Sequence, residues 1–301
     1  MFHIFGFYKF CKIKKLNTLK SYFLRFLINS NIRGTLILSE EGFNGTLSGN
    51  QQNLIKVKKN IKYIFKIKKF DSENFSKSKF QPFHKAKVKI KEEVVPIGFK
   101  ASHSDKIKSQ IEPKKWNSLL KDKNIKIIDT RKPFEYKVGT FKGAEKPNIK
   151  NFRDFPKYFK NFEKKTKIAM FCTGGIRCEK ASIYLKRSGY KKIYLLKGGI
   201  LNYLNTIDKS KSLWRGECYV FDNRVSVKHK LKVGTYLICG GCRMPVSLKE
   251  RKSKKYKEGI TCPKCWNKLS DSQKERFSMR QKQILRAKKL GNKYFFQKEF
   301  H

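Results

Sequence analysis

Three stretches in the middle of the chain, "IKIIDTR" from Ile125, "KIAMFC" ending at Cys172 and "KIYLLKGG" from Lys192, read as short continuous apolar runs with helical segments between them. A strand with one wet face alternates apolar and polar residues, whereas a strand covered on both faces does not. The feature therefore predicts a buried parallel sheet in a small α/β domain over residues 114–212. It also puts Cys172 at the carboxyl edge of that sheet.

At 301 residues the chain has room for two or three domains. The first hundred residues predict the order βαββαβ. "HIFGFYKF" reads as a strand; Leu16, Leu19, Phe23, Phe26 and Leu27 recur at helical spacing; "RGTLILS" and "FNGTLSG" flank the turn "EEG", where Gly42 and Gly45 suggest a tight bend. A second helix starts after Asn50, its cap, and "KAKVKIKEEVV" alternates as a half-exposed strand. Over residues 1–98 this order suits a ferredoxin-like α+β sandwich, two helices on an antiparallel sheet. "KASHSDKIKSQIEPKKW" reads as a linker running into a helix with Pro113 in its first turn. Residues 213–301 hold a cysteine-rich module and a basic helical tail.

A 39% hydrophobic content argues against disorder, and the net charge of +49 creates a field that attracts polyanions such as nucleic acid. Only 13 of the 72 basic residues are Arg, and the excess of Lys, Ile, Asn and Phe also matches what an A+T-rich genome would write at tolerant positions. No apolar run approaches the ~18 residues of a membrane span, and the N-terminus lacks the charge pattern of a secretory leader. Eight cysteines without such a leader suggest a reducing compartment, the cytoplasm, where thiols serve metals or catalysis.

Between Cys172 and the helix expected over "EKASIYLKRSGY", stopped by Gly189, runs Thr173-Gly174-Gly175-Ile176-Arg177. Paired glycines let successive backbone N–H groups converge on one point, and the helix amino terminus adds partial positive charge. Such a nest lowers a thiol pKa from ~8.5 to roughly 3.5–7.5, which makes Cys172 a candidate nucleophile. Four residues separate Cys172 from Arg177, one fewer than in the C-x5-R loop that holds a phosphate tetrahedron, so the ring suits a sulfur atom better. Cys178, at the helix start, reads either as packing or as a resolving thiol.

"CGGC" at 239–242 and "CPKC" at 262–265, nineteen residues apart, form two C-x2-C pairs. Cys239, Cys242, Cys262 and Cys265 are therefore expected to bind zinc tetrahedrally; with four thiolate ligands no position stays open, so its role is structural. Cys11 and Cys218 read as core.

The thiol loop, with "IIDTRKPFEYKVGTFKGA" before it and "LLKGG" after it, resembles the rhodanese family. That resemblance implies a reactive Cys172, with Asp129 and Arg131 at the entrance of the active-site cleft and Glu135 nearby; from the residues alone Asp129 reads equally as the cap of a turn after its strand. The whole succession, including "LSEEGFNGTLSG", "CTGGIRCEKAS", "GECYVFDNRVSV" and the cysteine pairs, resembles the bacterial oxygen-dependent tRNA uridine hydroxylases. Membership would imply hydroxylation of carbon 5 of the wobble uridine with molecular oxygen as co-substrate, Cys172 as catalytic residue, and the tRNA anticodon loop as partner. Tyr294 stands where the family pattern leads one to expect histidine. Phe43 and Asn44 are candidates to stack on and hydrogen-bond to a base. With no dinucleotide fingerprint and no facial-triad spacing among the histidines, the electron donor is left open, as is the oligomeric state. A sulfurtransferase carrying a persulfide on Cys172 and a non-catalytic RNA-binding zinc protein are the competing readings.

Overall fold

The computed structural model describes residues 1–101, 109–160 and 162–291; part of the linker, with His103, and the tail position Tyr294 lie outside the described residues. The chain opens with β1 (Phe2–Phe10), α1 (Leu16–Asn29), β2 (Arg33–Ser39), β3 (Gly42–Gly49), α2 (Gln51–Ile64), β4 (Ser72–Ser78) and β5 (Ala86–Ile90). These strands form one sheet in the order β4-β1-β3-β2-β5, antiparallel except where β5 runs parallel to β2. The ferredoxin-like core is thus present, but its fourth strand is β4 and not "KAKVKI", which is an added edge. "SENFSKS" hides its role because an edge strand needs little apolar side chain; Phe75 alone stacks on Phe5, with ring centroids 4.8 Å apart.

Helices α1 and α2 pack Phe23, Leu27, Leu54, Val57 and Ile61 onto Phe5, Phe7, Phe43 and Leu47 of the sheet. Asn50 caps α2 by accepting from the Asn53 N–H at 2.8 Å. The tight bend lies at Glu40–Glu41 with Gly42 at its exit, whereas Gly45 is inside β3 under the Phe7 ring. A Cβ at Gly45 would stand 2.6 Å from that ring.

A second unit follows: β6 (Gln110–Ile111), α3 (Pro113–Leu119), β7 (Ile125–Asp129), α4 (Pro133–Val138), β8 (Gly139–Phe141), α5 (Phe155–Phe159), β9 (Lys167–Phe171), α6 (Ile176–Arg187), β10 (Ile193–Leu196) and α7 (Gly199–Thr206). The predicted parallel sheet is present, in the order β6-β10-β9-β7. Its core extends past residue 212: β11 (Trp214–Gly216) pairs with β8, and Trp214, Cys218, Val220, Val227 and Leu231 pack with Trp116 and Phe171. Short strands β12 (Cys218–Tyr219), β13 (Ser226–Val227), β14 (Leu237–Ile238) and β15 (Pro245–Val246), then α8 (Leu248–Arg251) and α9 (Asp271–Lys289), complete the chain. Among the described residues, no helix is long and apolar enough to cross a membrane.

The two units are joined through α6. Lys180, with no exposed surface, donates to Glu41 at 2.6 Å and to Glu93 at 2.5 Å. Glu41 also accepts from the N–H groups of Val94 and Ala101, so one carboxylate ties the turn between β2 and β3, the segment after β5 and α6 together. Tyr8 and Phe10 of β1 meet Ile183 of α6 on the face opposite Phe5 and Phe7. This explains why "HIFGFYKF" is apolar at both parities. Removing the cation strands two carboxylates away from water, so Lys180→Met is expected to destabilise the protein by about 3–5 kcal/mol, read by urea denaturation. A loss below about 1 kcal/mol would mean that the network does not hold the units together.

Candidate active site

Cys172 follows β9 directly and lies 1% exposed before the amino terminus of α6. The Gly175 N–H points at its sulfur from 3.1 Å. The loop keeps this shape because α7 holds it from behind: the Ile200 and Leu201 N–H groups donate to the Cys172 and Thr173 carbonyls at 2.9 and 3.1 Å. With the carbonyls drawn toward α7, the amides are free to face the sulfur. Here "LLKGG" acquires a physical reason, since a Cβ on Gly199 would sit 2.5 Å from the Cys172 carbonyl oxygen, at a φ of +66°.

Burial pushes the Cys172 thiol up, but hydrogen bonds from the Cys178 thiol, the Arg177 charge and the N–H groups of Cys178 and Gly175 outweigh it and bring it to about 5. The sulfur is therefore a thiolate at neutral pH. Arg177 is locked by a bidentate pair with Glu135, at 2.8 and 2.9 Å, and also reaches Thr173 Oγ1 at 3.3 Å. Burial raises the Glu135 carboxyl, yet the Arg177 and Arg131 charges and the Lys132 N–H leave it below its ordinary value.

Asp129 is not at the cleft entrance. It is fully buried, taking hydrogen bonds from Arg131 Nε and Nη2 at 2.9 and 2.7 Å and from Thr140 at 3.0 Å. Arg131 lines the cleft and lies over the Trp214 ring at 5.2 Å, so Asp129 serves by positioning it. Phe43 is likewise unavailable to a base, with 0% exposure in the first core. Its neighbour Asn44 points to the other side of the sheet, as alternation requires, and does line the cleft.

That cleft, of about 830 Å³, is walled by both units, with Asn44 and Asn74 from the first, Cys172, Arg153 and Arg177 from the second, and Phe221 beyond them. Two wall residues escape sequence reasoning. Tyr8 donates to Glu179 of α6 at 2.5 Å, and Glu179 is raised to about 7, foremost by burial and further by Asp71 and Cys172 against the Tyr8 hydrogen bond and Lys9. Phe221 stands 64% exposed, a large ring offered to solvent at the rim. Their only sequence signals are the double-faced aromaticity of β1 and the motif "YVFDNR".

The sulfurs of Cys239, Cys242, Cys262 and Cys265 all lie within 4.8 Å of one another, an arrangement that could hold a metal.

Over 300 residues the chain is 59% identical to "tRNA uridine(34) hydroxylase" of Pelagibacter ubique (strain HTCC1062), with 100% of both chains covered. The chain belongs to that family. Residues 2–94 match the UPF0176 acylphosphatase-like domain and residues 112–206 the rhodanese-like domain. Among solved structures, a rhodanese-like domain from Anabaena sp. is 21% identical, covering 36% of this chain and 80% of its own, with a TM-score of 0.31. A rhodanese-like domain protein from Staphylococcus aureus is 25% identical, covering 32% of this chain and 90% of its own, with a TM-score of 0.28. Family membership makes the protein an enzyme and matches the resemblance drawn from the order of its motifs.

Alkylation of Cys172 by iodoacetamide should rise through a midpoint near pH 5 and be level by neutrality, because only the thiolate reacts. Gly199→Ala should move that midpoint upward by displacing the loop. A midpoint at ~8.5 in the unaltered protein would contradict the nest described here.

Proposed function

We propose that the protein hydroxylates carbon 5 of uridine 34 in tRNA with molecular oxygen, in the cytoplasm, with Cys172 as nucleophile. The observation that carries the reading is a buried thiolate at the floor of a cleft built by two units, large enough to receive an unstacked base. The thiolate adds to carbon 6 of the uracil ring, and the displaced electron pair moves to carbon 5 as an enolate. Electron-rich carbon 5 is the atom that meets oxygen. One oxygen atom enters the base and the other leaves as water, with two electrons from a reductant.

Lys150 and Arg153 on the cleft wall supply positive charge for the flanking phosphates, and Arg177, beside the thiolate, supplies it for the enolate oxygen. The family relative's name, with its tRNA substrate, supports the same partner, and the charge of +49 supports association with a polyanion. Asn44 and Asn74 offer amides to the edge of the base.

The four-cysteine cluster fits zinc. A tetrahedron of Zn–S bonds of ~2.3 Å has edges of about 3.8 Å, and the sulfur separations of Cys239–Cys265, Cys242–Cys262 and Cys262–Cys265 are 3.7, 3.7 and 3.8 Å. Zinc held there would cross-link the module, and α9 rests on it through Arg280, which donates to the Gly240 carbonyl at 2.8 Å.

Purified protein, transcribed tRNA and controlled oxygen should yield 5-hydroxyuridine at position 34 by nucleoside mass spectrometry, and Cys172→Ser should lower the rate by more than about 10³-fold. Unchanged product from Cys172→Ser would overturn the nucleophile assignment. Thiolated nucleosides in place of 5-hydroxyuridine would favour sulfur transfer.

A further inference from the structure

Taking a base out of an RNA strand breaks the stacks it made with its neighbours, and a protein that holds the unstacked strand replaces them with aromatic side chains. The cleft wall offers such a group. Among the described residues, Phe221 is the one large apolar side chain of that wall left mostly in solvent, at 64% exposure. A lone exposed apolar side chain is ordinary on a protein surface. What separates Phe221 from that case is how firmly the chain beneath it is held.

Phe221 lies at the tip of the hairpin between β12 and β13, closed by the Val220 N–H donating to the Val225 carbonyl at 3.0 Å. The next residue, Asp222, accepts from Arg224 Nε and Nη2 at 2.8 and 2.6 Å, in an ion pair whose side chains are 2% and 4% exposed. Arg224 Nη1 also donates to Ser76 Oγ of β4 at 2.8 Å, and the Asn223 N–H donates to the Pro82 carbonyl at 3.0 Å. The tip is thereby fixed to the first unit as well as to its own hairpin. Val225 keeps a φ of +64°, which a β-branched residue holds only where its surroundings dictate it. Tyr219 meets the Phe221 ring at 5.1 Å and 88°, and itself meets Phe134 at 5.0 Å. A ring carried on so constrained a backbone loses little chain entropy when a flat partner covers it.

We propose that Phe221 is the stacking platform for a base next to uridine 34 in the anticodon loop, a second nucleobase subsite at the rim of the cleft. The proposal rests on the hydroxylase reading above. Phe221 and Cys172 line the same cleft, one at its rim and the other at its floor, so a strand that delivers uridine 34 to the sulfur carries its neighbours past the ring. The Asp222–Arg224 pair satisfies its own charges beside the ring, which leaves the flanking phosphates to Lys150 and Arg153. Every base has a π face, so this subsite adds affinity without reading the identity of the neighbour. The choice of uridine falls instead to the polar groups of the inner wall, Asn44 and Asn74.

The test pairs protein variants with altered RNA. Phe221→Ala should raise both KM for tRNA and Kd for a synthetic anticodon stem-loop by about 5- to 150-fold, the range that base–aromatic stacking supplies, with kcat far less affected. Phe221→Trp should restore both constants, and Phe221→Leu, apolar but without a π face, should not. The Cys172 alkylation midpoint should stay where it is in all three variants, which separates a lost stack from a disturbed fold. Stem-loops lacking the base at position 33 or at position 35 then identify the partner, because the one without it loses nothing further on Phe221→Ala. Unchanged KM and Kd for Phe221→Ala, Leu serving as well as Trp, or a full loss on both abasic stem-loops would overturn the proposal. Normal 5-hydroxyuridine formation with any of these results leaves the hydroxylase reading standing alone. If the unaltered protein forms no 5-hydroxyuridine, yet its stem-loop binding weakens on Phe221→Ala and recovers with Trp, the subsite stands and the hydroxylase reading fails.

Discussion

A negative charge on a sulfur atom with almost no exposed surface is the demand around which the rest of this molecule is arranged. Burial alone would keep Cys172 protonated, so every compensating group has to be brought to it by the fold. The Gly175 and Cys178 amides arrive because α6 starts at the edge of the sheet, and the loop between is held by the first amides of α7. The Arg177 charge arrives because Glu135, at the start of α4, fixes the guanidinium in a bidentate pair. Each of these elements comes from a different part of the α/β unit, which is why the reactive thiol needs a whole domain and not a loop.

The first unit contributes the other half of the cleft, and its attachment runs through the same helix. Glu179 and Lys180, adjacent residues about one turn into α6, are tied to Tyr8 of β1 and to Glu41 in the turn between β2 and β3. Ser72 also donates to the Gly174 carbonyl at 3.2 Å, so the first sheet touches the loop itself. The cleft is therefore a product of packing between units, and a change that loosens α6 would disturb both its wall and the surroundings of the Cys172 sulfur.

Much of this was legible in the sequence because it is local. Continuous apolar runs disclose a parallel sheet, paired glycines disclose a loop that bends its amides inward, and two C-x2-C pairs disclose a cluster that zinc would close. The misread elements are those that tertiary structure decides. Strand β4 is polar because it is an edge; Asp129 is buried because Arg131 and Thr140 occupy its carboxylate; Phe43 lies inside because strand parity turns it away from the cleft. The Tyr8–Glu179 pair spans 171 positions and has no trace in any short motif. Family membership, in turn, followed from the order of motifs along the whole chain more than from any single one.

The central proposal is that Cys172 adds to carbon 6 of the uracil ring and so makes carbon 5 nucleophilic. Without oxygen that enolate can only be reprotonated by solvent, so the most direct measurement is anaerobic exchange of the carbon 5 hydrogen of uridine 34 in D2O, followed by nucleoside mass spectrometry. The unaltered protein should introduce one deuterium at that position and Cys172→Ser none. Protein that forms 5-hydroxyuridine under oxygen yet exchanges no carbon 5 hydrogen in its absence would contradict the account.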